Sequence, residues 1–357
     1  MGCFIRPRCA QSCPPLNTLR AKIEEHARQG LVLPPLGRPS EELPRYRRFL
    51  KLESHRLRMF VRSGGGGVEA CRARSLMTDL LVRHLWDATL RLTTGGKSMP
   101  RVALVAFGGY GRSELCPMSD IDLMFLHDDV GDAASRENKA FTDCVTGVLY
   151  PLWDLGFKLG NVSRTVDYCI QLANSDMQSK TSMLEARRVA GDESLFREFE
   201  SRFQKECVKG HAREYVQQRL ADQQARRLKH GNSPALQEPN IKNGVGGLRD
   251  FQNLLWMAFF QERTRTLKDL QEREFMGPAE RRQLEAAHDF LLRTRTELHH
   301  VAMRPADVLA ANVQPAVASG LGYDERSTRA RVEHFIDRKS TRLNSSHEWI
   351  SRMPSSA

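Results

Sequence analysis

The stretch VALVAFGGYGRSELCPMSDIDLMFLH, residues 102–127, strongly constrains what this chain can fold into. Its first residues form a mostly apolar run, which predicts a strand buried on both faces. Gly108 and Gly109 follow, where a Cβ would keep the backbone from turning closely. A second apolar run predicts a second strand. The stretch therefore indicates a strand–loop–strand unit in an α/β fold.

Two carboxylates stand at the start of the second predicted strand. Side chains alternate along a strand, so Asp120 and Asp122 point to one face and Ile121 to the other. Neighbouring carboxylates repel one another unless a cation lies between them, and Mg²⁺ held jointly with nucleotide phosphates is the usual solution. Amide groups at a glycine turn bind phosphate oxygens. We therefore predict a Mg²⁺ site at Asp120 and Asp122, with phosphate at Gly108 and Gly109.

The patterns along the rest of the chain predict two main parts. A helix is expected at about residues 135–155, and two strand-like segments follow before residue 195. Beyond that point the pattern is helical almost throughout. We expect an α/β domain, with a small mixed sheet flanked by helices, at residues 67–195. An all-helical domain is expected at residues 196–336.

The two ends of the chain differ from these parts. Residues 1–66 predict an N-terminal arm with helices, partly disordered. Residues 337–357 are rich in serine and basic residues and do not continue the helical pattern. We expect this tail to be non-native or disordered.

Composition excludes several classes of protein. No apolar run reaches the length of a membrane span, and no secretory signal is found. The eight cysteines include no C-x-x-C pair, so neither a zinc site nor a disulfide framework is indicated, and we expect a cytoplasmic protein. The net charge of +11 is spread along helical stretches. Without a nucleic-acid-binding signature, we expect no nucleic-acid partner.

Two motifs resemble a known family. GGYGRSELCPMSDIDL, residues 108–123, resembles the signature of DNA polymerase β-like nucleotidyltransferases, and more narrowly of bacterial PII uridylyltransferase/uridylyl-removing enzymes. EPNIKNGVGGLRDFQNLLW, residues 238–256, resembles a segment of the helical domain of those enzymes. The resemblance covers about residues 70–336, with the motifs in the order that the family has them.

The resemblance implies a reaction and assigns residues to it. The family transfers UMP from UTP to a tyrosine of the PII nitrogen-signalling protein and releases pyrophosphate. Asp120 and Asp122 match its metal-binding aspartates, and Gly108 and Gly109 match its phosphate-contacting turn. Ser119, just before the first aspartate, is a further candidate for phosphate contact.

Other candidates have two interpretations each. Many enzymes of the superfamily have a third carboxylate, for which Glu185 and Asp154 are candidates, and Glu185 could equally pair with a neighbouring arginine. Arg112 either contacts the nucleotide or forms an internal ion pair with Glu114.

The second motif carries two basic candidates of its own. Lys242 and Arg249 either bind nucleotide phosphates or an acidic partner, or belong to a segment that supports the domain interface.

Two other functions, and an expected lack of further domains, stand beside the function that the resemblance implies. The complete family enzyme continues into a His-Asp hydrolase domain that removes UMP and into two glutamine-sensing ACT domains, and we expect this chain to lack both. An adenylyltransferase acting on glutamine synthetase would use the same metal core. A fragment that binds nucleotide or PII without turnover is the third possibility.

Overall fold

The computed structural model describes residues 16–34, 37–94, 100–129, 136–231, 233 and 236–337. The strands are β1 (Val102–Ala106), β2 (Ile121–His127), β3 (Leu159–Arg164) and β4 (Arg187–Gly191). The helices are α1 (Leu16–Gly30), α2 (Leu43–Arg62), α3 (Gly67–Thr94), α4 (Gly108–Gly111), α5 (Arg136–Asp154), α6 (Val166–Ser175), α7 (Met177–Leu184), α8 (Glu193–Phe203), α9 (Ala212–His230), α10 (Leu248–Glu262), α11 (Leu267–Glu272), α12 (Pro278–Ala302) and α13 (Gln314–Gly320). A 3₁₀ turn lies at Pro39–Glu41, a π-helical turn at Gln204–Val208 and a last helix at 328–337.

The four strands form one mixed sheet in the order β3-β2-β1-β4. β1 is antiparallel to both β2 and β4, whereas β3 runs parallel to β2. All five residues of β1 are buried, as its apolar run predicts for a central strand. The last residue of β1, Ala106, pairs with Leu123 and Arg187, so the end of β1 and the starts of β2 and β4 meet at one edge of the sheet.

Each face of the sheet has its own apolar core. Leu104, Leu123 and Phe125 belong to a core shared with α1, α2, α3 and α5. Val105, Met124 and Leu126 belong to a core shared with α6 and α8. The alternation along β1 and β2 thus places successive side chains in different cores, which explains why both strands are apolar almost throughout.

The helices before residue 67 are part of the first core. Ile23 of α1 and Tyr46 and Phe49 of α2 are almost fully buried in it. Their apolar residues recur at helical spacing between arginines and glutamates, so each helix has one apolar face. Residues 16–62, within the range 1–66 where the sequence predicts an arm with helices, therefore pack against the sheet. Residues 1–15 lie outside the described residues.

The second core crosses the expected boundary near residue 195. It includes Phe199 and Phe203 of α8, and then Tyr215 of α9 and Phe260 of α10. An α/β part and a helical part are both present, as expected. Because one core is built from both, they pack as neighbours with a shared apolar interior.

Two further expectations concern particular segments. The tail expected at residues 337–357 lies outside the described residues apart from Asp337, in the helix at 328–337. Within the described ranges, no helix combines the length and the apolar character that a bilayer crossing requires.

Candidate active site

Asp122 occupies a space that two glycines leave open. A Cβ on Gly108 would lie 2.8 Å from Oδ2 of Asp122, and a Cβ on Gly160 would lie 2.5 Å from its Oδ1. Gly160 is the partner of Asp122 in the β2–β3 pairing. Gly108 has φ of 58°, which favours glycine, and starts the short helix α4. The carboxylate is therefore seated where any larger residue at either position would displace it.

The charges around Asp122 come from several parts of the chain. Burial raises the pKa of Asp122, and the negative charge of Asp120 raises it further. Lys242 and Arg112 act in the opposite direction. Asp120 itself is exposed and lies just before β2, so the two aspartates do not both belong to the strand as the alternation predicted. The structure thus brings together the two aspartates, the glycine turn and two of the basic residues that the sequence singled out.

The close packing of Asp122 against Gly108 predicts that alanine has different effects at Gly108 and at the adjacent Gly109. We expect Gly108→Ala to lower the free energy of unfolding by about 2 kcal/mol, because a left-handed conformation costs an L-residue roughly 1–2 kcal/mol and the new Cβ crowds Asp122. Gly109→Ala is the matched control, since its Cβ would lie 3.7 Å from the nearest atom, in Arg112. It should change stability by less than about 0.5 kcal/mol. Urea unfolding measures both changes in the free energy of unfolding. Equal losses in the two variants would show that Gly108 is not specifically required beside Asp122.

Arg112 joins the glycine turn to Glu185. Its Nε donates to Oε2 of Glu114 at 2.7 Å and its Nη1 to Oε1 of Glu185 at 2.6 Å. The indole N–H of Trp256 also donates to Oε1 of Glu185, at 2.7 Å. Burial raises the pKa of Glu185, and Arg112 opposes that shift. The internal ion pair of Arg112 and Glu114 is therefore present, and Glu185 enters the site as a partner of Arg112.

The two candidates for a third carboxylate lie in different places. The backbone carbonyl of Glu185 contacts the turn at Gly111, and its carboxylate is held by Arg112 and Trp256. Asp154 ends α5 and is exposed, and its carbonyl accepts a hydrogen bond from Arg47. Of these two, only Glu185 contacts a sequence-predicted site residue in the described part of the chain.

The loop before Asp120 is held by α12. We call residues 112–120, which join α4 to β2, the aspartate loop. Nδ1 of His299 accepts the backbone N–H of Met118 at 3.2 Å, and Nη1 of Arg295 donates to Oγ of Ser119 at 3.4 Å. Burial, followed by the charge of Arg295, lowers the pKa of His299 to about 3, so the ring is neutral near pH 7.

Sequence reasoning missed both α12 residues. The signal available was the spacing of Arg295 and His299, four residues apart on one helix face. This spacing does not reveal which loop the face contacts. Ser119, which the sequence did single out, also accepts the backbone N–H of Cys116 at 3.2 Å. Its oxygen accepts two bonds, which leaves the hydroxyl proton as a donor.

The second motif forms a tightly bonded turn. Oδ1 of Asn240 accepts the backbone N–H groups of Lys242 and Asn243, at 3.1 and 2.7 Å. The buried carboxylate of Asp250 accepts the N–H of Gly246 at 2.9 Å and pairs with Arg226 at 2.6 Å. The glycine-rich loop is therefore fixed from both ends.

This turn presents Lys242 and Arg249. Nζ of Lys242 lies 3.8 Å from Asp307, a carboxylate that already pairs with Arg295 at 2.8 Å. Arg249 stacks on Trp256, with 5.2 Å from its Cζ to the ring centroid, and no described carboxylate lies within ion-pair distance of it. Burial, with the charge of Arg112, lowers the pKa of Arg249 to about 10. Arg249 is thus a poorly solvated cation on which the Glu185 charge acts from beyond ion-pair distance.

A cavity of about 760 Å³ opens beside the Arg112–Glu185 pair. Its walls include Trp256 and Phe259 of α10 and His288 of α12. The described residues that line it include neither Asp120 nor Asp122. The cavity thus shares Arg112 and Glu185 with the candidate site but is not lined by its aspartates.

The residues fit a hard divalent cation in part. Asp120 and Asp122 offer carboxylate oxygens, which Mg²⁺ prefers, and the missing Cβ atoms of Gly108 and Gly160 leave the space that the Asp122 carboxylate occupies. In the described ranges no group of three or more His, Cys, Asp or Glu side chains is placed to hold a metal. Mg²⁺ commonly takes one or two carboxylates together with substrate phosphates, so the pair fits such a shared site.

Comparison with known proteins gives concordant matches. The family model described as GlnD PII-uridylyltransferase matches residues 214–351. A bifunctional uridylyltransferase/uridylyl-removing enzyme of Phenylobacterium zucineum is 39% identical over 284 residues, 78% of this chain and 29% of that protein. The protein of the same name from Caulobacter vibrioides is 34% identical over 94% of this chain and 35% of its own length. The one from Rhodopseudomonas palustris is 40% identical over 72% of this chain and 27% of its own length.

These relatives are all named uridylyltransferases, which defines the class as nucleotidyltransferases. Within that class, the chain belongs to the family of bifunctional uridylyltransferase/uridylyl-removing enzymes. It spans about a third of the length of the curated relatives it matches.

Proposed function

We propose that this chain transfers UMP from UTP to a tyrosine hydroxyl of a PII signalling protein and releases pyrophosphate. The observation that carries the proposal is the seat of Asp122 between Gly108 and Gly160, facing Lys242 and Arg112. The two carboxylates favour a bound cation, and the basic residues near them favour an anion. A metal-bound triphosphate supplies both charges, so it suits this site. The names of the relatives supply the nucleotide and the class of reaction.

The basic residues have the role of binding the triphosphate. Among the described residues no carboxylate forms an ion pair with Arg249, and Asp307 lies 3.8 Å from Lys242, so both cations are available to phosphate oxygens. The first amide groups of α4, at Gly108 and Gly109, have no partner within that helix and can donate to phosphate. The hydroxyl proton of Ser119 is a further donor.

Asp120 and Asp122 would hold Mg²⁺ in this proposal. Bound there with the nucleotide, the metal would supply charge stabilisation for the transferred phosphoryl group and the departing pyrophosphate. Glu185 orients Arg112, whose charge acts on Asp122, and so contributes to the same field. The rest of catalysis is the positioning of acceptor and nucleotide.

The test is incubation of the purified chain with a PII protein, Mg²⁺ and each of the four ribonucleoside triphosphates labelled at the α-phosphate. We expect label on PII from UTP alone, and none on a PII variant in which the acceptor tyrosine is phenylalanine. The full-length enzyme of Caulobacter vibrioides, run in parallel, shows that the PII preparation is competent. Transfer of label from ATP to glutamine synthetase, in a parallel reaction that contains it in place of PII, would favour the adenylyltransferase alternative. UTP binding without transfer would favour a non-catalytic fragment.

Loss of Arg249 should weaken nucleotide binding. We expect Arg249→Met to raise the Kd for α,β-methylene-UTP with Mg²⁺ by about 10- to 100-fold, because a hydrogen bond to a charged group contributes about 1.5–3 kcal/mol. Methionine retains the apolar contact with Trp256. Arg164→Met is the matched control, since Arg164 also lies over an aromatic ring, that of Tyr168, but is the last residue of β3, at the end of the strand away from Asp122. Titration calorimetry measures both, and an unchanged Kd for Arg249→Met would remove it from the site.

A further inference from the structure

α12 contacts the aspartate loop at several successive points. Arg295 reaches Ser119, the hydroxyl of Thr296 lies 3.9 Å from Sγ of Cys116, and His299 bonds the backbone of Met118. These contacts come from one face of one helix and cover the residues directly before Asp120. The loop is therefore held from the helical part of the chain, while the strand that follows belongs to the sheet.

The two polar contacts come from side chains that are largely or fully buried. His299 is fully buried, and its Nδ1 accepts from Met118, so in the neutral ring the proton is on Nε2. Nε of Arg295 donates to Asp307 at 2.8 Å, and this ion pair orients the guanidinium group whose Nη1 donates to Ser119. Asp307 also lies near Lys242, so a single carboxylate connects α12 to the basic turn of the second motif. A shift of α12 would thus move the aspartate loop and Lys242 together.

We propose that Arg295 and His299 are positioning residues, which hold the aspartate loop from α12 in the geometry that metal binding at Asp120 and Asp122 requires. The inference rests on the proposed function, because it takes these aspartates as the metal ligands. Neither residue touches the reacting groups. Their effect on metal binding passes through the backbone of Met118 and the hydroxyl of Ser119.

The test compares three variants of α12. His299→Leu removes the acceptor for Met118, whereas His299→Asn places an amide oxygen near the position of Nδ1. His300→Leu is the matched control, since His300 is the next residue on the helix and has no contact with the aspartate loop among its described interactions. Amide hydrogen exchange of a peptide covering residues 116–120 reports on the loop. Electron paramagnetic resonance of free Mn²⁺ with UTP present, compared with a protein-free titration because UTP itself binds Mn²⁺, reports on the metal affinity of the protein.

We expect His299→Leu to speed exchange at Met118 and to lower Mn²⁺ affinity by about tenfold, the lower end of the effect found when a group that orients a metal ligand is removed. His299→Asn should restore most of both, and His300→Leu should change neither. Unchanged exchange in folded His299→Leu would overturn the proposal, as would faster exchange with unchanged Mn²⁺ affinity. If His299→Leu does not fold, Arg295→Gln tests the second contact, and unchanged Mn²⁺ affinity there would overturn the proposal.

The two hypotheses fail in different ways. If the wild-type chain binds no Mn²⁺ in the presence of UTP, the metal role in the proposed function is wrong, and the positioning proposal falls with it. If the wild type binds Mn²⁺ but none of the α12 variants changes that affinity, only the positioning proposal is wrong.

Discussion

Asp122→Asn should lower the rate of UMP transfer by about 10³-fold or more without lowering the free energy of unfolding. Loss of the metal's charge stabilisation amounts to several kcal/mol, and about 4 kcal/mol corresponds to three decades in rate. Stability should be preserved because the change is nearly isosteric and removes the repulsion between Asp122 and Asp120. Single-turnover transfer to PII and urea unfolding measure the two quantities.

Asp154→Asn is the matched control for this prediction. Asp154 is exposed at the end of α5, and we expect its substitution to change the rate by less than about twofold, as for surface positions away from a site. A large loss in Asp154→Asn would identify it as the third carboxylate. Wild-type rates in folded Asp122→Asn would remove the aspartates from the mechanism. If the wild-type chain shows no transfer, the effect of Asp122→Asn is measured instead as a loss of Mn²⁺ affinity in the presence of UTP.

Asp250→Ala should destabilise the protein by about 3–5 kcal/mol, the usual cost of removing one partner of a buried ion pair. The Asp250 side chain is fully buried, and it pairs with Arg226 at 2.6 Å and Arg227 at 3.4 Å. It also accepts the backbone N–H of Gly246 and the side-chain amide of Gln223, so its loss removes the buried carboxylate to which two guanidinium groups and two amides donate. Urea unfolding measures the loss, and a change below about 1 kcal/mol would contradict it.

The pH dependence of this loss gives a second check. Burial alone would raise the pKa of Asp250, but Arg226 and Arg227 outweigh it and hold the pKa below its ordinary value. A depressed pKa stabilises the folded state above the unfolded value of about 3.9 and ceases to do so as pH falls through the folded value. The stability difference between wild type and Asp250→Ala should therefore narrow below about pH 4. Asp167→Ala, at an exposed pair with Arg202, should cost less than about 1 kcal/mol at any pH.

Much of the fold could be predicted because its signals are local. The apolar run of β1, the alternation of β2 and the helix after it follow from hydrophobic periodicity within a few residues. The helical part after residue 195 also has its pattern in the sequence. The packing of α1 and α2 into the sheet's core was not predictable in this way, since an apolar helix face does not specify which surface covers it.

The sequence by itself placed two aspartates, two residues apart, at the start of a strand beside a glycine turn, because the apolar run and the Gly-Gly pair are local signals. In the structure Asp122 lies in β2, whereas Asp120 ends the aspartate loop just before that strand. The sequence also indicated the family, through two motifs more than a hundred residues apart. Only the tertiary structure decided that Gly160 faces Asp122, that Glu185 pairs with Arg112, and that Arg295 and His299 hold the loop before Asp120. These contacts join residues 38 to 181 positions apart, and such distances close only when the sheet and α12 pack, which no local pattern encodes.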